Sequence, residues 1–505
     1  MSAEEGDKPS DLAVLARGGR TNIFGFVLRL AARLPFLFIA GRYYGEDALG
    51  RWALAVVMVE FCAQLATLGQ KRALAQQLAR EEQPPAHVIA DGMLMSAGIG
   101  SVLAAFLMFV PAPMFPAGET SWVDRLMPLA IVPFALTEVA LAALAYRYDI
   151  GSTVKARAVW EPWTLSIGAG VFFYFDATRD NGLIMAYLLG VGTATVAAFV
   201  PMLRQFGLPR GWNPQPSRIG RLMWQNIPVA GADAVEWGTR RLDLYILGLL
   251  AAPQVVGIYY FAQQVASVAG KLKTSFEPIL GPVITRKVRE KDWPAIARQV
   301  CQVGFWILAA QAGIALALAI PGGAIMALGG ESFIMGTGAM AILLAAETVA
   351  AMAVVSEAAL IYIARMKNLW LSLSTMTVQI VTTFGLVLLV RGSDYPPMWQ
   401  AAAAAAALLI TLAYSSFIKS FTLSRILGER VNNFRWALVY AAAPAVLVGW
   451  LVTRLPDWFQ LSIGIAAILA TYGFAIWKYG FGPEDRVLFK KKVETEEPEA
   501  GPTSA

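Results

Sequence analysis

The chain has 505 residues, of which 57% are hydrophobic and 15% are charged, and its formal net charge is +6. Soluble domains carry about 25% charged residues, so this composition excludes an ordinary soluble protein and indicates a polytopic helical membrane protein. Two cysteines and one histidine give neither a disulfide framework nor the ligands of a zinc or haem site, and we therefore expect no cofactor.

The apolar residues form fourteen segments of roughly 20 residues, the length that crosses a bilayer as a helix. The polar stretch that precedes the first segment lacks the short apolar region and small-residue cleavage site of a signal peptide, so we expect the first segment to stay in the membrane. The predicted spans are residues 22–42, 48–70, 88–111, 124–146, 157–175, 182–203, 222–250, 255–281, 300–320, 336–364, 369–390, 399–419, 435–453 and 459–478.

The basic residues predict the orientation of these spans. Most of the 41 Lys and Arg residues fall in alternate connections, on the side that also holds both chain ends. This distribution follows the positive-inside rule, so we expect an even number of spans and cytoplasmic N- and C-termini. It also accounts for the positive net charge without a nucleic-acid partner.

A connection that contains three prolines divides the spans after the sixth. The predicted fold is therefore an all-α polytopic membrane protein of about 14 transmembrane helices, with two pseudo-symmetric six-helix lobes and two extra C-terminal helices. The predicted parts are a cytoplasmic N-terminal segment (1–21), an N-lobe (22–203), a cytoplasmic linker (204–221), a C-lobe (222–420), the last two spans (435–478) and a cytoplasmic tail (479–505).

An internal repeat supports the division into two lobes. When the chain is shifted by 207 positions, both halves share the pattern G-x8-G-x-[WY]-x2-A at the turn between their first two spans. The equivalent pairs are Gly41 with Gly248, Gly50 with Gly257, Trp52 with Tyr259, Ala55 with Ala262, and Arg33 with Arg240.

The seventh span carries an unusual density of charge. An ionised side chain costs about 2.5–3.5 kcal/mol at the centre of a membrane helix, so such groups are retained for a function or in a wet interior. Asp233, Glu236, Arg240 and Asp243 are spaced as i, i+3, i+7 and i+10, which places them on one face of a helix. Glu236 and Arg240 have the spacing of an ion pair.

Polar residues on the first, second and eighth spans predict a shared lumen between the lobes. The eighth span offers Gln263 and Lys271 on one face, and the second offers Glu60. The acids Asp233, Glu236 and Glu60 are candidates for coupling to an ion. Ion pairs that only tie helices together, or side chains that snorkel to the interface, are the alternative reading. The candidate lumen cations are Arg29, Arg33, Arg240, Arg241, Lys271 and Lys273.

Four stretches carry a resemblance to a known family. They are residues 44–55 (YGEDALGRWALA), 68–75 (LGQKRALA), 241–262 (opening RLDLYILG and closing VGIYYFA) and 276–282 (FEPILGP). Together with the fourteen spans, they make the chain resemble the polysaccharide-transporter branch (Wzx-type, O-antigen flippases) of the multidrug/oligosaccharidyl-lipid/polysaccharide exporter (MOP) superfamily.

The resemblance implies a transporter rather than an enzyme. Its substrate would be an undecaprenyl-pyrophosphate-linked oligosaccharide, moved across the bacterial inner membrane by alternating access, with the lumen cations holding the pyrophosphate. Membrane lipids, H+ or Na+, and a polysaccharide polymerase machinery would be its partners. Two alternatives stay open: a multidrug/cation antiporter of the same superfamily, and a membrane polysaccharide polymerase or ligase.

Overall fold

The computed structural model describes residues 34–81, 83–118, 120–270, 288, 292–482 and 485. All regular secondary structure within these ranges is helical, as predicted. The main helices are α1 (Gly45–Ala66), α2 (Gln70–Ala79), α3 (Pro85–Phe109), α4 (Ile131–Tyr146), α5 (Glu161–Tyr174), α6 (Gly182–Phe206), α7 (Pro216–Leu250), α8 (Pro253–Gly270), α9 (Trp293–Ala319), α10 (Thr337–Ile363), α11 (Arg365–Arg391), α12 (Trp399–Leu427), α13 (Ala437–Val452) and α14 (Ile465–Tyr479).

The second to fourteenth predicted spans coincide with α1 and α3–α14, whereas α2 is a short additional helix and most of the first predicted span lies outside the described residues. Within the described residues, nine helical segments are long and apolar enough to cross a membrane, and α13 is a shorter apolar helix. The charged helix α7 is not among the nine, although its 35 residues extend about 52 Å at 1.5 Å per residue. That length exceeds the hydrocarbon thickness of about 30 Å, so α7 must tilt within the bilayer or extend beyond it.

Proline and glycine set several helix boundaries. Pro85, Pro216 and Pro253 begin α3, α7 and α8, where the missing N–H of proline costs nothing. Gly207 and Gly428 follow the ends of α6 and α12 with φ values of 74° and 72°. This left-handed conformation suits glycine because it has no Cβ.

The helices pack as two bundles. In the first, α4 contacts α3 and α6, and α6 contacts α5; in the second, α10 contacts α8, α9 and α12, and α11 contacts α7 and α12. The alanine run 401–407 on α12 is largely buried, and its small side chains allow close packing against neighbouring helices. The pair α13 and α14 packs against α9, so these last helices belong with the second bundle.

A buried carboxylate after α14 fastens these last helices to the second bundle. Asp485 accepts hydrogen bonds from Arg435 Nη1 (2.8 Å) and Trp306 Nε1 (2.9 Å). Burial opposes the charge of Asp485, but the hydrogen bonds, led by the one from Arg435, lower its pKa below the usual value. The contact therefore favours the folded state at neutral pH, and this stabilisation is lost as the pH falls below the pKa of an unfolded aspartate toward the lower pKa of Asp485 in the folded chain.

Helix α1 joins the two bundles, because it packs against α3 and α4 on one side and α7 and α8 on the other. Gly50 and Gly257, a predicted repeat pair, lie at the crossing of α1 and α8. A Cβ on Gly50 would lie 1.9 Å from the carbonyl oxygen of Pro253, and one on Gly257 would lie 1.9 Å from that of Glu46. The Ser332 hydroxyl donates to Glu46 at 2.7 Å. The lobes are thus closed on the predicted outer side.

We expect Gly50→Ala to lower the unfolding temperature of the detergent-solubilised chain. A methyl group has no space at the crossing, and overpacking of this kind costs about 1–3 kcal/mol. The matched control is Gly98→Ala on α3, where a Cβ would meet nothing within 4 Å. Thermal unfolding followed by near-UV circular dichroism is the measurement; equal unfolding temperatures for the two variants would contradict the close crossing.

Candidate functional site

The charged face of α7 meets a cation from the other lobe. Arg72, on α2, places Nε 3.1 Å from Asp233 Oδ1 and Nη2 2.6 Å from Glu236 Oε2. The second oxygen of Glu236 lies 3.0 Å from Arg240 Nη2, which confirms the ion pair predicted from the spacing. We call these four residues the inner bridge, because α2 lies on the predicted cytoplasmic side.

The turn between α1 and α2 brings Arg72 to this position. Leu68 and Gly69 have positive φ values of 45° and 69°, which end α1 and redirect the chain. A Cβ on Gly69 would lie 2.8 Å from the Cβ of Val229 on α7. Helix α2 therefore begins in contact with α7, and Arg72 follows within its first turn.

The inner bridge is open to its surroundings. The side chains of Arg72, Glu236 and Arg240 are 55%, 49% and 64% exposed, whereas that of Asp233 is 4% exposed. The pairs of Glu236 with Arg72 and Arg240 are exposed, and exposed ion pairs contribute only about 0.2–1 kcal/mol each. The bridge can therefore hold the lobes together and still be broken by a ligand that offers better acceptors to the arginines.

Arg72 has a neighbour with a different role. Lys71 Nζ lies 3.7 Å from Glu138 Oε2 of its own lobe. Glu138 also pairs with Arg157, which lies 2.6 Å from Glu161. Two cations and two carboxylates thus meet within the N-lobe, and we interpret this group as structural. Of the two adjacent cations on α2, Lys71 therefore binds a carboxylate of its own lobe, and Arg72 binds carboxylates of the opposite lobe.

Asp243 corrects one expectation from the sequence. Its carboxylate does not join the open face of α7 but is fully buried, and it accepts hydrogen bonds from Tyr259 Oη at 2.5 Å and Gln263 Nε2 at 2.9 Å. Asp243 follows Asp233 by ten residues, so its side chain is rotated by about 80° around the helix axis from that of Asp233. This rotation places Asp243 on the side of α7 where α8 packs. Gln263, expected on the lumen face of the eighth span, therefore points into the C-lobe.

The structure brings three of the predicted site residues together, namely Asp233, Glu236 and Arg240. Arg241 follows on α7 and is partly exposed. Glu60 lies on α1, partly buried, within electrostatic range of Tyr187 on α6. The other four predicted lumen cations lie outside the described residues: Arg29, Arg33, Lys271 and Lys273.

Sequence reasoning missed Arg72, which it counted among the cytoplasmic loop charges. The available signal was its position three residues after a glycine, within a stretch already noted for its resemblance to flippases. The pairing itself depends on how α2 meets α7, and no local pattern encodes that contact.

A different face of α7 lines an apolar cavity of about 280 Å³. Met58 and Phe61 of α1, Gly238 and Leu242 of α7, and Met376 of α11 form part of its wall. The rings of Phe61 and Trp237 lie 4.7 Å apart at its edge. Helix α7 thus presents charge on one face and an apolar cavity on another.

No protein-family model matches the chain, and no curated protein sequence matches it. Solved structures do. The lipid II flippase MurJ in an inward closed conformation is similar over 90% of this chain and 98% of its own, with a TM-score of 0.67 and 12% identity. An inward-facing multidrug resistance MATE family transporter of the MOP superfamily is similar over 79% of this chain and 98% of its own, with a TM-score of 0.65 and 12% identity.

A third solved structure is a MOP superfamily transporter from Pyrococcus furiosus Vc1 (DSM3638), described as having a binding pocket of reverse polarity. It is similar over 82% of this chain and 95% of its own, with a TM-score of 0.58 and 12% identity. At such low identities these likenesses establish the fold alone. The chain has the helical fold that these transporters share.

We expect Arg72→Gln to separate the lobes on the predicted cytoplasmic side, because Asp233 and Glu236 lose their cation from the opposite lobe. Spin labels at Arg80→Cys on the N-lobe and Met366→Cys on the C-lobe, in a background without Cys62 and Cys301, would report the distance by pulsed EPR.

The matched control is Lys71→Gln, which removes the adjacent cation but leaves every contact between the lobes. A longer distance is expected for Arg72→Gln alone. The inner bridge would be refuted if the two variants gave the same distance distribution.

Proposed function

We propose that the protein is a flippase that moves an undecaprenyl-pyrophosphate-linked oligosaccharide across the bacterial inner membrane by alternating access. The observation that carries the proposal is the exposure of Arg240: its side chain is 64% exposed although it pairs with Glu236. It lies on α7, a helix at the contact between the lobes. The fold it shares with a lipid II flippase supports the same reading.

The arginines suit a pyrophosphate. A guanidinium group presents paired N–H donors that match phosphate oxygens, and it stays charged in any protein environment. We propose that Arg29, Arg33, Arg240, Arg241, Lys271 and Lys273 hold the pyrophosphate during transport. Coupling to H+ or Na+ would use Asp233, Glu236 or Glu60.

The two faces of α7 match the two chemistries of such a substrate. A prenyl pyrophosphate joins an anion to an apolar chain, and α7 offers arginines on one face and an apolar cavity on another. The oligosaccharide would pass between the lobes while the prenyl chain of the substrate stays in contact with the membrane lipid. Both termini would be cytoplasmic, and a polysaccharide polymerase would take the product on the other side.

The closed outer crossing and the inner bridge fit alternating access. The lobes touch at Gly50 and Gly257 on the predicted outer side, and Arg72 joins them on the predicted inner side. In this proposal a pyrophosphate competes with Asp233 and Glu236 for Arg72. The bridge then opens to admit the substrate.

The second candidate is a multidrug or cation antiporter, which the two carboxylates of the inner bridge and the likeness to a MATE transporter favour. Against it, Arg72 already neutralises both carboxylates in part, and Arg240 and Arg241 add positive charge. Excess positive charge repels a cationic substrate. A polysaccharide polymerase or ligase has no observation in its favour here.

We expect Arg240→Gln to reduce translocation of a prenyl-pyrophosphate-linked oligosaccharide by about tenfold or more, the usual effect of losing a hydrogen bond to a charged group. The measurement is leaflet exchange of the labelled lipid in proteoliposomes that contain the full chain. Arg221→Gln serves as the control, because Arg221 is exposed on the same helix near its cytoplasmic end.

The antiporter would be favoured if Arg240→Gln exchanged the labelled lipid between leaflets at the wild-type rate but exported a cationic dye more slowly than the wild type. In cells, a deletion strain is expected to accumulate the lipid-linked repeat unit in the inner leaflet. Accumulation in the outer leaflet would contradict the flippase and indicate a polymerase or ligase.

A further inference from the structure

Asp243 leaves buried hydrogen-bonding capacity unused. Both of its donors, Tyr259 Oη and Gln263 Nε2, converge on Oδ2. Its Oδ1 atom is buried without a hydrogen-bond partner, and so is Oε1 of Gln263. Two buried acceptor oxygens, Asp243 Oδ1 and Gln263 Oε1, therefore receive no hydrogen bond, although their side chains are bonded to each other. The Asp243 side chain is fully buried.

An ionised carboxylate in this position is costly, because burial removes water and none of the described cations forms a salt bridge with Asp243. Among the described residues, the cation nearest in sequence is Arg241, which lies two positions before Asp243 on α7. Its charge favours the ionised carboxylate, but residues two apart on a helix do not face each other, and the two side chains form no salt bridge. Asp243 thus differs from Asp233, whose carboxylate has Arg72 at 3.1 Å.

The number of free oxygens decides what could neutralise Asp243. A hard metal cation such as Ca²⁺ or Mg²⁺ takes about six or more oxygen ligands, and the two unpartnered oxygens here are too few for a shell of that kind. One proton needs only one oxygen and one acceptor. Rotation of the Gln263 amide by half a turn would exchange its N–H donor for a carbonyl acceptor, so the amide can serve both forms of Asp243.

We propose that Asp243, Tyr259 and Gln263 form a proton-binding site whose occupancy favours closure of the lobes on the outer side. The proposal deepens the proposed function, because it rests on alternating access between the two lobes. The ligand is a proton that enters from the predicted outer side.

The position of the site links it to the outer crossing. Asp243 lies about two turns before the outer end of α7, and Tyr259 follows Gly257 by two residues. Helix α1 covers the ends of α7 and α8 that meet here at two points: a Cβ on Gly248 would lie 2.6 Å from the side chain of Leu54, and Gly257 touches Glu46. Separation of α1 from α7 and α8 would remove that cover and admit water.

The direction of the coupling follows from burial. A neutral acid is buried at low cost, whereas an ionised acid favours the hydrated, open state. Proton uptake from outside therefore favours closure on the outer side, and loss of the proton favours opening. By linkage, the closed state binds the proton more tightly than the open state.

Other groups on the helices around α7 are accounted for. On α8 the titratable groups are Tyr259 itself and Tyr260, whose ring packs on Trp52 of α1, and the buried polar side chains of α11 are uncharged. Helix α1 carries Asp47, Glu60 and Cys62, together with Glu46, which accepts a hydrogen bond from Ser332, and Arg51, which pairs with Asp124. Other groups on the packed helices include Lys71 and Arg72 on α2, Asp91 of α3 with Arg218, Glu347 of α10 against Gly270, and Lys419 of α12 with Glu357.

Pulsed EPR on the full chain tests the proposal without any substrate. Spin labels at Asp180→Cys and Asp394→Cys, in exposed loops of the two lobes on the predicted outer side, report the outer opening in a background without Cys62 and Cys301. The distance is expected to lengthen as the pH rises. Asp243→Asn should keep the short distance at every pH, and Glu331→Gln, an exposed carboxylate on the same side, should respond like the parent.

Tyr259→Phe gives an independent test that does not remove the carboxyl group. The loss of a donor to the ionised form should raise the proton affinity, so the midpoint should move upward by about one pH unit or more. An unchanged pH response in Asp243→Asn would overturn the proposal, and so would closure driven equally well by sodium at constant pH. Either result leaves the leaflet-exchange assay of the proposed function unaffected.

Discussion

The contact of Arg72 with Asp233 and Glu236 is the interaction on which the proposed transport mechanism depends. One guanidinium group from α2 binds two carboxylates on α7 and thereby joins the lobes on the predicted cytoplasmic side. Asp233 is buried while its partners are half exposed. In the proposed mechanism this contact orders the closed state, and its exposed members, Arg72 and Glu236, leave it open to a competing anion.

The opposite side is closed by a different kind of contact. At Gly50 and Gly257 the backbones of α1 and α8 touch directly, and the hydrogen bond from Ser332 to Glu46 lies beside this close contact. Asp243 lies between the two closures, on the helix that also carries the inner bridge. Helix α7 therefore combines a charged face, an apolar cavity and a buried carboxylate, and it is the element through which a ligand and a proton would act on both sides.

Much of the architecture could be predicted because it depends on local pattern. Apolar length gave the spans, and the paired glycines at positions 50 and 257 indicated the repeat, since only glycine permits backbones to approach so closely. The Glu236–Arg240 pair followed from helical spacing. Arg72 and the orientation of Asp243 could not be predicted, because both depend on how one helix is rotated against another, and a few tens of degrees separate a lumen face from a packed one.

The central claim is that a pyrophosphate displaces the carboxylates of the inner bridge from Arg72. The most direct measurement is the distance between labels at Arg80→Cys and Met366→Cys in the otherwise unsubstituted inner bridge, with undecaprenyl pyrophosphate or undecaprenol added. The account predicts a longer distance with the pyrophosphate and no change with the alcohol, because only the anion competes for the arginine. The same distance with both lipids would contradict it.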